Sequence, residues 1–226
     1  MILRAVNIRK TFDRADNNTC GIIDVSITIR PAEYHCIFGT SGSGKSTILN
    51  ILAGMLAPSS GSVYLDNMDI YSNKKFMRTS MRINSIGYIM QSASLLSNIS
   101  VYDNIIFPLE IAKKQVNYRQ VEDIINKLEL SHLVDAYPKE LSGGEYKRVT
   151  IARTIVSNPQ IILADEPTSN LDEKNANIIR NIFEDLYLEG KGIVVATHDM
   201  KFIESHHIIH NIRNGKLYYA QKVCYG

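Results

Sequence analysis

IFGTSGSGKSTILNILAGML, residues 37–56, decides the fold. An apolar run gives way to glycines separated by hydroxyl residues, then to a lysine, then to apolar residues at helical spacing. That succession predicts a buried strand, a tight loop and a helix. Ile48, Leu49, Ile51, Leu52 and Met55 predict one apolar stripe, and Pro58 predicts where the helix stops. The loop itself, Gly39, Thr40, Ser41, Gly42, Ser43, Gly44, Lys45, Ser46 and Thr47, fits the phosphate-loop pattern. In that pattern backbone N–H groups wrap the phosphates, the lysine meets their charge and the hydroxyl after it ligates magnesium, roles that fall to Lys45 and Ser46. A glycine-serine loop that merely turns the chain is the plainer reading, and the flanking strand and helix weigh against it.

Two acids point to the same chemistry. IILADE, residues 161–166, ends an apolar run with adjacent carboxylates, and ligands of α/β sheets gather at strand C-termini. Ionised groups there lose solvation unless something positive compensates, and magnesium does so. Asp165 is expected to hold the metal and Glu166 to polarise an attacking water. A helix-capping pair at a loop entry is the structural alternative. His198 closes a second apolar run, GIVVAT, and is expected at the same sheet edge. Gln91, closing the short strand SIGYIMQ, can reach a metal or water through its amide.

Outward from these sites, residues 1–38 alternate with period two and predict antiparallel strands followed by a buried one. VNYRQVEDIINKLEL places Val121, Ile124, Ile125 and Leu128 on one helical face, Pro138 breaks the pattern, and LSGGEYKRVTIARTIV starts another helix. QIILADE and GIVVATH flank a helix ending near Gly190, a βαβ unit whose strands are apolar throughout, as strands buried on both faces are. Asn214-Gly215 between strand-like flanks predicts a tight hairpin. The expected class is α/β: a P-loop core with an antiparallel β-subdomain and an inserted α-helical subdomain. All 226 residues form one domain in this reading, with 1–91 and 150–226 as β-subdomain plus core and 92–149 as the helical insert.

With 25 basic and 23 acidic side chains the net charge of +2 argues against nucleic-acid binding by electrostatics. Cys20, Cys36 and Cys224 lack metal-type spacing and read as reduced thiols. No run approaches the roughly 18 apolar residues of a spanning helix, and MILRAVNIRK lacks a signal peptide's apolar stretch. Any membrane is therefore expected to be crossed by another chain. His206, His207 and His210 look metal-like, yet no cysteine, and no acid other than Glu204, completes a set and the interleaved Ile208 and Ile209 suggest a strand. Lys74, Lys75, Arg78 and Arg82 share a helix face that reads as solvated surface, near lipid headgroups at most.

One stretch remains. LSGGEYKR, residues 141–148, builds a second anion-holding helix start a hundred residues after the first. Taken in order, GTSGSGKST, Gln91, LSGGE, IILADE, SNLD (169–172) and His198 resemble the ATP-binding cassette (ABC) ATPases over essentially the whole chain, and LSGG is the specific element. The resemblance implies ATP and Mg2+ as cofactors, and a head-to-tail dimer in which the signature of one copy closes over the nucleotide in the other's phosphate loop. Ser142 and the N–H groups of Gly143 and Gly144 then face the γ-phosphate from a helix N-terminus.

The remaining roles follow from the same resemblance. Phe12 falls where the family stacks an aromatic, more often tyrosine, on adenine. Gln91 senses the metal and links to a membrane partner, Asp172 crosses the dimer interface, and His198 steadies the γ-phosphate and the water near Glu166. Glu145 stands where glutamine is common, and Tyr146-Lys147 replaces a frequently polar pair. The implied partners are a second cassette and a transmembrane permease, with no nucleic acid, on the cytoplasmic face of the membrane. SIGYIMQSASLLSNISVYDNIIFPLEIA further resembles the lipoprotein-release and macrolide-efflux branch, through Leu95, Leu96, Val101, Asn104, Pro108 and Leu109. Export of a peptide, lipoprotein or drug is one expectation; regulation of a membrane or cell-wall partner is the other.

Overall fold

The computed structural model describes residues 1–12, 19–72, 85–92, 94–204 and 206–220. The basic face at Lys74, Lys75, Arg78 and Arg82, and Cys224, lie outside them. Two sheets organise the described chain. β1 (Leu3–Phe12), β2 (Thr19–Ile29), β4 (Ser60–Leu65) and β5 (Met68–Asp69) form an antiparallel sheet in the order β2-β1-β4-β5.

The second sheet runs β10-β9-β3-β8-β7-β6, from β3 (Tyr34–Phe38), β6 (Ile86–Ile89), β7 (Ile161–Asp165), β8 (Gly192–Thr197), β9 (Ile208–Arg213) and β10 (Lys216–Ala220). β6, β7, β8, β3 and β9 are parallel, and β10 pairs antiparallel with β9 through the Asn214-Gly215 turn, where both residues have positive φ.

Why β7 and β8 are apolar up to their last residues, Asp165 and Thr197, is visible in the packing. Ile37, Leu163, Val194 and Ala196 point into one core with the antiparallel sheet and α1 (Lys45–Leu52). Their neighbours Cys36, Phe38, Ala164, Ile193 and Val195 point into a second core on the opposite face. That second core is shared with α2 (Val101–Ile111), α3 (Tyr118–Lys127), α4 (Gly143–Ile155) and α5 (Glu173–Leu188). With both faces covered, alternation has no solvent side to report.

Three boundaries differ from the sequence-based expectation. α1 ends at Leu52, before Pro58, because Gly54 takes φ +69° and the Met55 N–H turns back to the Asn50 carbonyl. Met55 therefore leaves the apolar stripe and is 49% exposed. A glycine in the left-handed region stops a helix before a downstream proline can. β6 ends at Ile89, so Gln91 lies in the turn beyond the strand rather than at its end. α4 continues unbroken to Ile155, across the 149/150 division read from the sequence, because Val149, Ile151, Ala152 and Ile155 supply one continuous buried face.

Candidate functional site

Parallel pairing sets the site. β3, β7 and β8 lie side by side with Phe38 opposite Thr197 and Asp165 opposite Ala196, so the segments leaving their C-terminal ends emerge together. The loop after β3 wraps into α1 through Gly44, the N-cap, at φ +111°. A Cβ there would meet the Gly21 carbonyl oxygen and the Ile22 side chain at 2.8 Å, so the loop can seat against β2 only with glycine. The β9–β10 turn props it from the other side, as the Gly215 N–H donates to the Ser43 carbonyl at 3.2 Å.

Lys45 is buried and folds back over this loop, donating from Nζ to the Gly39 carbonyl at 2.7 Å and the Thr40 carbonyl at 3.3 Å. Its ammonium also stands 3.3 Å from Glu166 Oε1. The other carboxylate oxygen, Oε2, faces His198 Nδ1 at 2.9 Å and accepts from the Thr197 hydroxyl at 3.4 Å. Glu166 is thus bracketed by a cation on one oxygen and by the β8 terminus on the other. Its backbone has φ +46°, in the left-handed region, and its N–H donates to the Ala196 carbonyl. Ser169 returns to the same residue through N–H and hydroxyl bonds to the Glu166 carbonyl. A non-glycine residue so held is the kind of strain a fold keeps at a working position.

Asp165 is the deeper acid, 4% exposed. Burial pushes its carboxyl above the ordinary aspartate range and outweighs a hydrogen bond from Ser46; Glu166 adds like charge, while Lys45 and Lys147 oppose it. Its Oδ1 is buried without a hydrogen-bond partner.

Thr40, Ser41, Gly42, Gly44, Lys45, Ser46 and Thr47 line one cleft of about 670 Å³ together with Gln91, Glu166, Ser169 and His198, and Asp165 is not among its lining residues. Phe12 also lines it, lying over Gly21 so closely that a Cβ on Gly21 would come within 2.6 Å of the ring. Gly39 and Ser43 line an adjoining cleft on the outer side of the same loop, with His198 shared between the two.

The LSGG segment is elsewhere. Ser142 caps α4 in a reciprocal box: its hydroxyl donates to Glu145 Oε2 at 2.7 Å, its N–H reaches the same oxygen at 2.8 Å, and its Oγ accepts from the Glu145 N–H at 3.4 Å. Bonds from Ser142 hold the Glu145 carboxyl below its ordinary range. Ser142 and Gly143 are exposed, and space beyond Gly143 is open for 4 Å. Gly144 instead presses on Asn175, whose side chain would lie 2.5 Å from an added Cβ. Asn175 in turn donates to Asp172, the N-cap of α5, at 2.8 Å from its N–H and 2.7 Å from its amide. Ser142, Gly143, Gly144, Glu145 and Asp172 therefore form one patch, and none of them lines the cleft.

A family model described as "ABC transporter" matches residues 22–169, more than half of the chain. The chain belongs to the ABC transporter ATPase family. Among the relatives, the lipoprotein-releasing system ATP-binding protein LolD of Buchnera aphidicola is 36% identical over 221 residues, covering 96% of each chain. The cell division ATP-binding protein FtsE of Streptococcus pneumoniae is 35% identical over 215 residues, covering 94% of this chain and 93% of its own. The dimeric structure of MJ0796, a bacterial ABC transporter cassette, superposes with a TM-score of 0.89 at 30% identity, covering 97% of this chain and 99% of that one. A post-hydrolysis state of the same cassette, bound to ADP and Pi, matches equally well.

This ABC cassette is an ATPase, and its cleft suits the nucleotide. The orphaned Oδ1 of Asp165, beside a Ser46 hydroxyl, also fits a hard divalent cation, which favours oxygen ligands. Several neighbours escaped the sequence reading. Lys147 donates to the Met90 carbonyl at 3.4 Å, the Tyr146 hydroxyl accepts from the Leu95 N–H at 2.6 Å, and Arg153 donates to the Ser94 carbonyl at 2.9 Å. α4 thereby holds the segment around Gln91. Arg180 of α5 grips Asp199, next to His198, at 2.9 Å. Ser169 and Thr197 lie within stretches already quoted, SNLD and GIVVAT; the contacts of Tyr146, Lys147, Arg153 and Arg180 arise from tertiary packing and leave no local signal. Of the branch-type positions, Asn104 is fully buried and bonds both the N–H and the carbonyl of Leu96, a structural duty.

Proposed function

We propose that two copies of this cassette close head to tail around two ATP-Mg and drive a separate transmembrane permease. The observation that carries this reading is the division of the motif residues within one chain. Lys45, Ser46, Gln91, Glu166 and His198 line the cleft, while Ser142, Gly143 and Asp172 stand on a separate, open patch. A helix N-terminus that is open to solvent at Ser142 and Gly143, and stands apart from the phosphate loop of its own chain, suits a nucleotide presented by another.

In this reading Phe12 stacks on the base, and loop N–H groups with Lys45 hold the phosphates. Asp165, Ser46 and Gln91 would hold magnesium, which neutralises charge developing on the phosphate oxygens. Phosphate oxygens draw Lys45 away from Glu166, leaving that carboxylate to orient and deprotonate the attacking water while His198 fixes its other oxygen. Loss of the bridging γ-phosphate releases the patch of the second copy. Because α4 carries the signature and also grips the Gln91 segment, closure moves both together.

Similarity to the lipoprotein-releasing system protein LolD supports release of a lipoprotein; similarity to the cell division protein FtsE supports a task in cell division instead. Specific ATPase activity is expected to fall on dilution, as it must if two chains make each site. Undiminished activity at concentrations where only monomers persist would defeat the dimer reading. Purification from membranes with a permease that binds cargo would favour transport over regulation.

A further inference from the structure

On the opposite edge of the sheet from the nucleotide cleft, the structure brings together a set that sequence spacing hides. Glu184, in the C-terminal half of α5, lies between His206 and His207, which lead into β9. Its Oε2 is 3.2 Å from His206 Nε2 and its Oε1 is 2.8 Å from His207 Nε2. No two of the three ligand atoms are more than 4.8 Å apart. The acid that completes the set comes from 22 residues before His206, and neither Glu204 nor His210 belongs to it. His210 pairs instead with His35, at 2.9 Å in the core.

His207 carries the argument. Its side chain is 1% exposed, and its Nδ1 lies 2.7 Å from the Phe202 carbonyl oxygen, a contact that requires a proton on Nδ1. The Glu204 N–H also approaches Nδ1, but at 3.2 Å, and the shorter contact governs the tautomer. With Nδ1 donating to the Phe202 carbonyl, Nε2 meets the carboxylate as a second N–H in the imidazolium, and offers it a lone pair once that proton is displaced. Nε2 has no hydrogen bond of acceptable geometry although Glu184 Oε1 is so near. A divalent cation that displaces the Nε2 proton is held by the imidazole and the carboxylate together. A ligating histidine whose other nitrogen donates to a backbone carbonyl is how proteins orient imidazole toward a metal.

The rings are also set in place. Tyr34 stacks on His207 at 3.9 Å between centroids with 16° between planes, and Tyr187 stacks on His206 at 4.9 Å and 23°. Cys36 is near, 3.7 Å from His207 Nδ1, but its thiol donates to the Phe202 carbonyl and burial pushes its deprotonation far up, so the donor set is two imidazoles and a carboxylate. That set suits zinc and similar divalent transition ions, not magnesium or calcium. Ligand atoms around tetrahedral zinc stand about 3.3 Å apart for bonds near 2.0 Å. Rotation of the part-exposed His206, with a small shift of the Glu184 carboxylate away from His207, would bring the set to that spacing.

We propose that Glu184, His206 and His207 form a binding site for a zinc-type divalent ion, separate from the nucleotide cleft, that ties α5 to the start of β9. The tie bears on α5 as a whole, whose opposite end carries Asp172.

The test uses the untagged full chain, stripped with a chelator and free of nucleotide, titrated with Zn2+ against a chromophoric competitor. One ion per chain is expected, with a dissociation constant on the order of 1 µM or tighter. His206→Ala and Glu184→Gln should each weaken it about 100-fold, while Asp165→Asn leaves it unchanged. Cobalt should give the intense visible bands of a tetrahedral site in the wild type and lose them in His206→Ala. Since His206 is at the surface, its variant keeps ATP binding, and a zinc-dependent rise in Tm seen in the wild type should vanish in it. Absence of a stoichiometric ion, or an ion that survives both ligand substitutions, would overturn the site.

Discussion

Lys45 Nζ and Glu166 Oε1 stand 3.3 Å apart, a buried ion pair that joins the phosphate loop to the acid edge of the sheet. The lysine is committed at once to this carboxylate and to two loop carbonyls. Glu166→Gln relaxes the ion pair while leaving a similar shape. ATP affinity is expected to hold or to rise several-fold, phosphate release to fall at least 100-fold, and ATP-dependent dimers to accumulate on size exclusion. Wild-type turnover in this variant would remove Glu166 from the chemistry.

Asp165 makes a prediction about pH. Its carboxyl is raised above the ordinary value of 3.8, chiefly by burial, so the native state binds this proton more tightly than the unfolded chain does. The contribution of this group to stability is therefore greatest in acid. It declines as pH rises from near 3.8 through the raised native value, and stays at its lowest above that. Asp165→Asn escapes the decline. Without metal, the variant is expected to exceed wild type by about 1 kcal/mol at neutral pH, ~2–4 °C in Tm, and the advantage should shrink in acid. The same variant should lose magnesium-dependent turnover. Parallel melts in chelator at acid and neutral pH check the sign.

What could be read from the chain and what could not divides along physical lines. The phosphate loop and the IILADE pair are legible as patterns because each is built of contiguous residues, and the structure brings Lys45 and Glu166 within 3.3 Å. The parallel strands were legible because burial on both faces abolishes alternation. Pro58 is the stronger helix breaker by sequence, and only the backbone angle of Gly54 reveals that the glycine acts first. Lys147 reaching Met90, Phe12 covering Gly21, and Glu184 meeting His207 all depend on the distance between elements remote in sequence. No periodicity encodes those.

Phe12 offers the cleft an apolar face without a hydroxyl, and Lys10 Nζ lies 5.6 Å from the ring centroid on the same strand. If the ring carries the base, Phe12→Ala should weaken ATP and ADP alike by about 1–3 kcal/mol, since stacking ignores the γ-phosphate. Inorganic triphosphate, which has no base, should bind the variant as well as it binds wild type. Equal loss for all three ligands would mean that the ring supports the loop rather than the base, and competition binding with a fluorescent nucleotide separates the cases.

Glu145 decides how ready the signature patch is. Its carboxylate takes the Ser142 hydroxyl and N–H, and an anion at the first turn of α4 is favoured by the helix N-terminus. The same charge opposes a phosphate approaching that terminus, and Ser142 has one hydroxyl proton to give. Glutamine at 145 keeps an acceptor for the cap and removes the charge. Glu145→Gln is therefore expected to cost only about 0.5 kcal/mol of stability, the side chain being half-buried and its acceptor role in the cap kept. It should tighten ATP-driven dimerisation of the Glu166→Gln background by several-fold, the gain shrinking as salt screens the repulsion. Sedimentation at graded ionic strength measures both, and a variant dimer no tighter than its parent would mean that the carboxylate turns aside when the phosphate arrives.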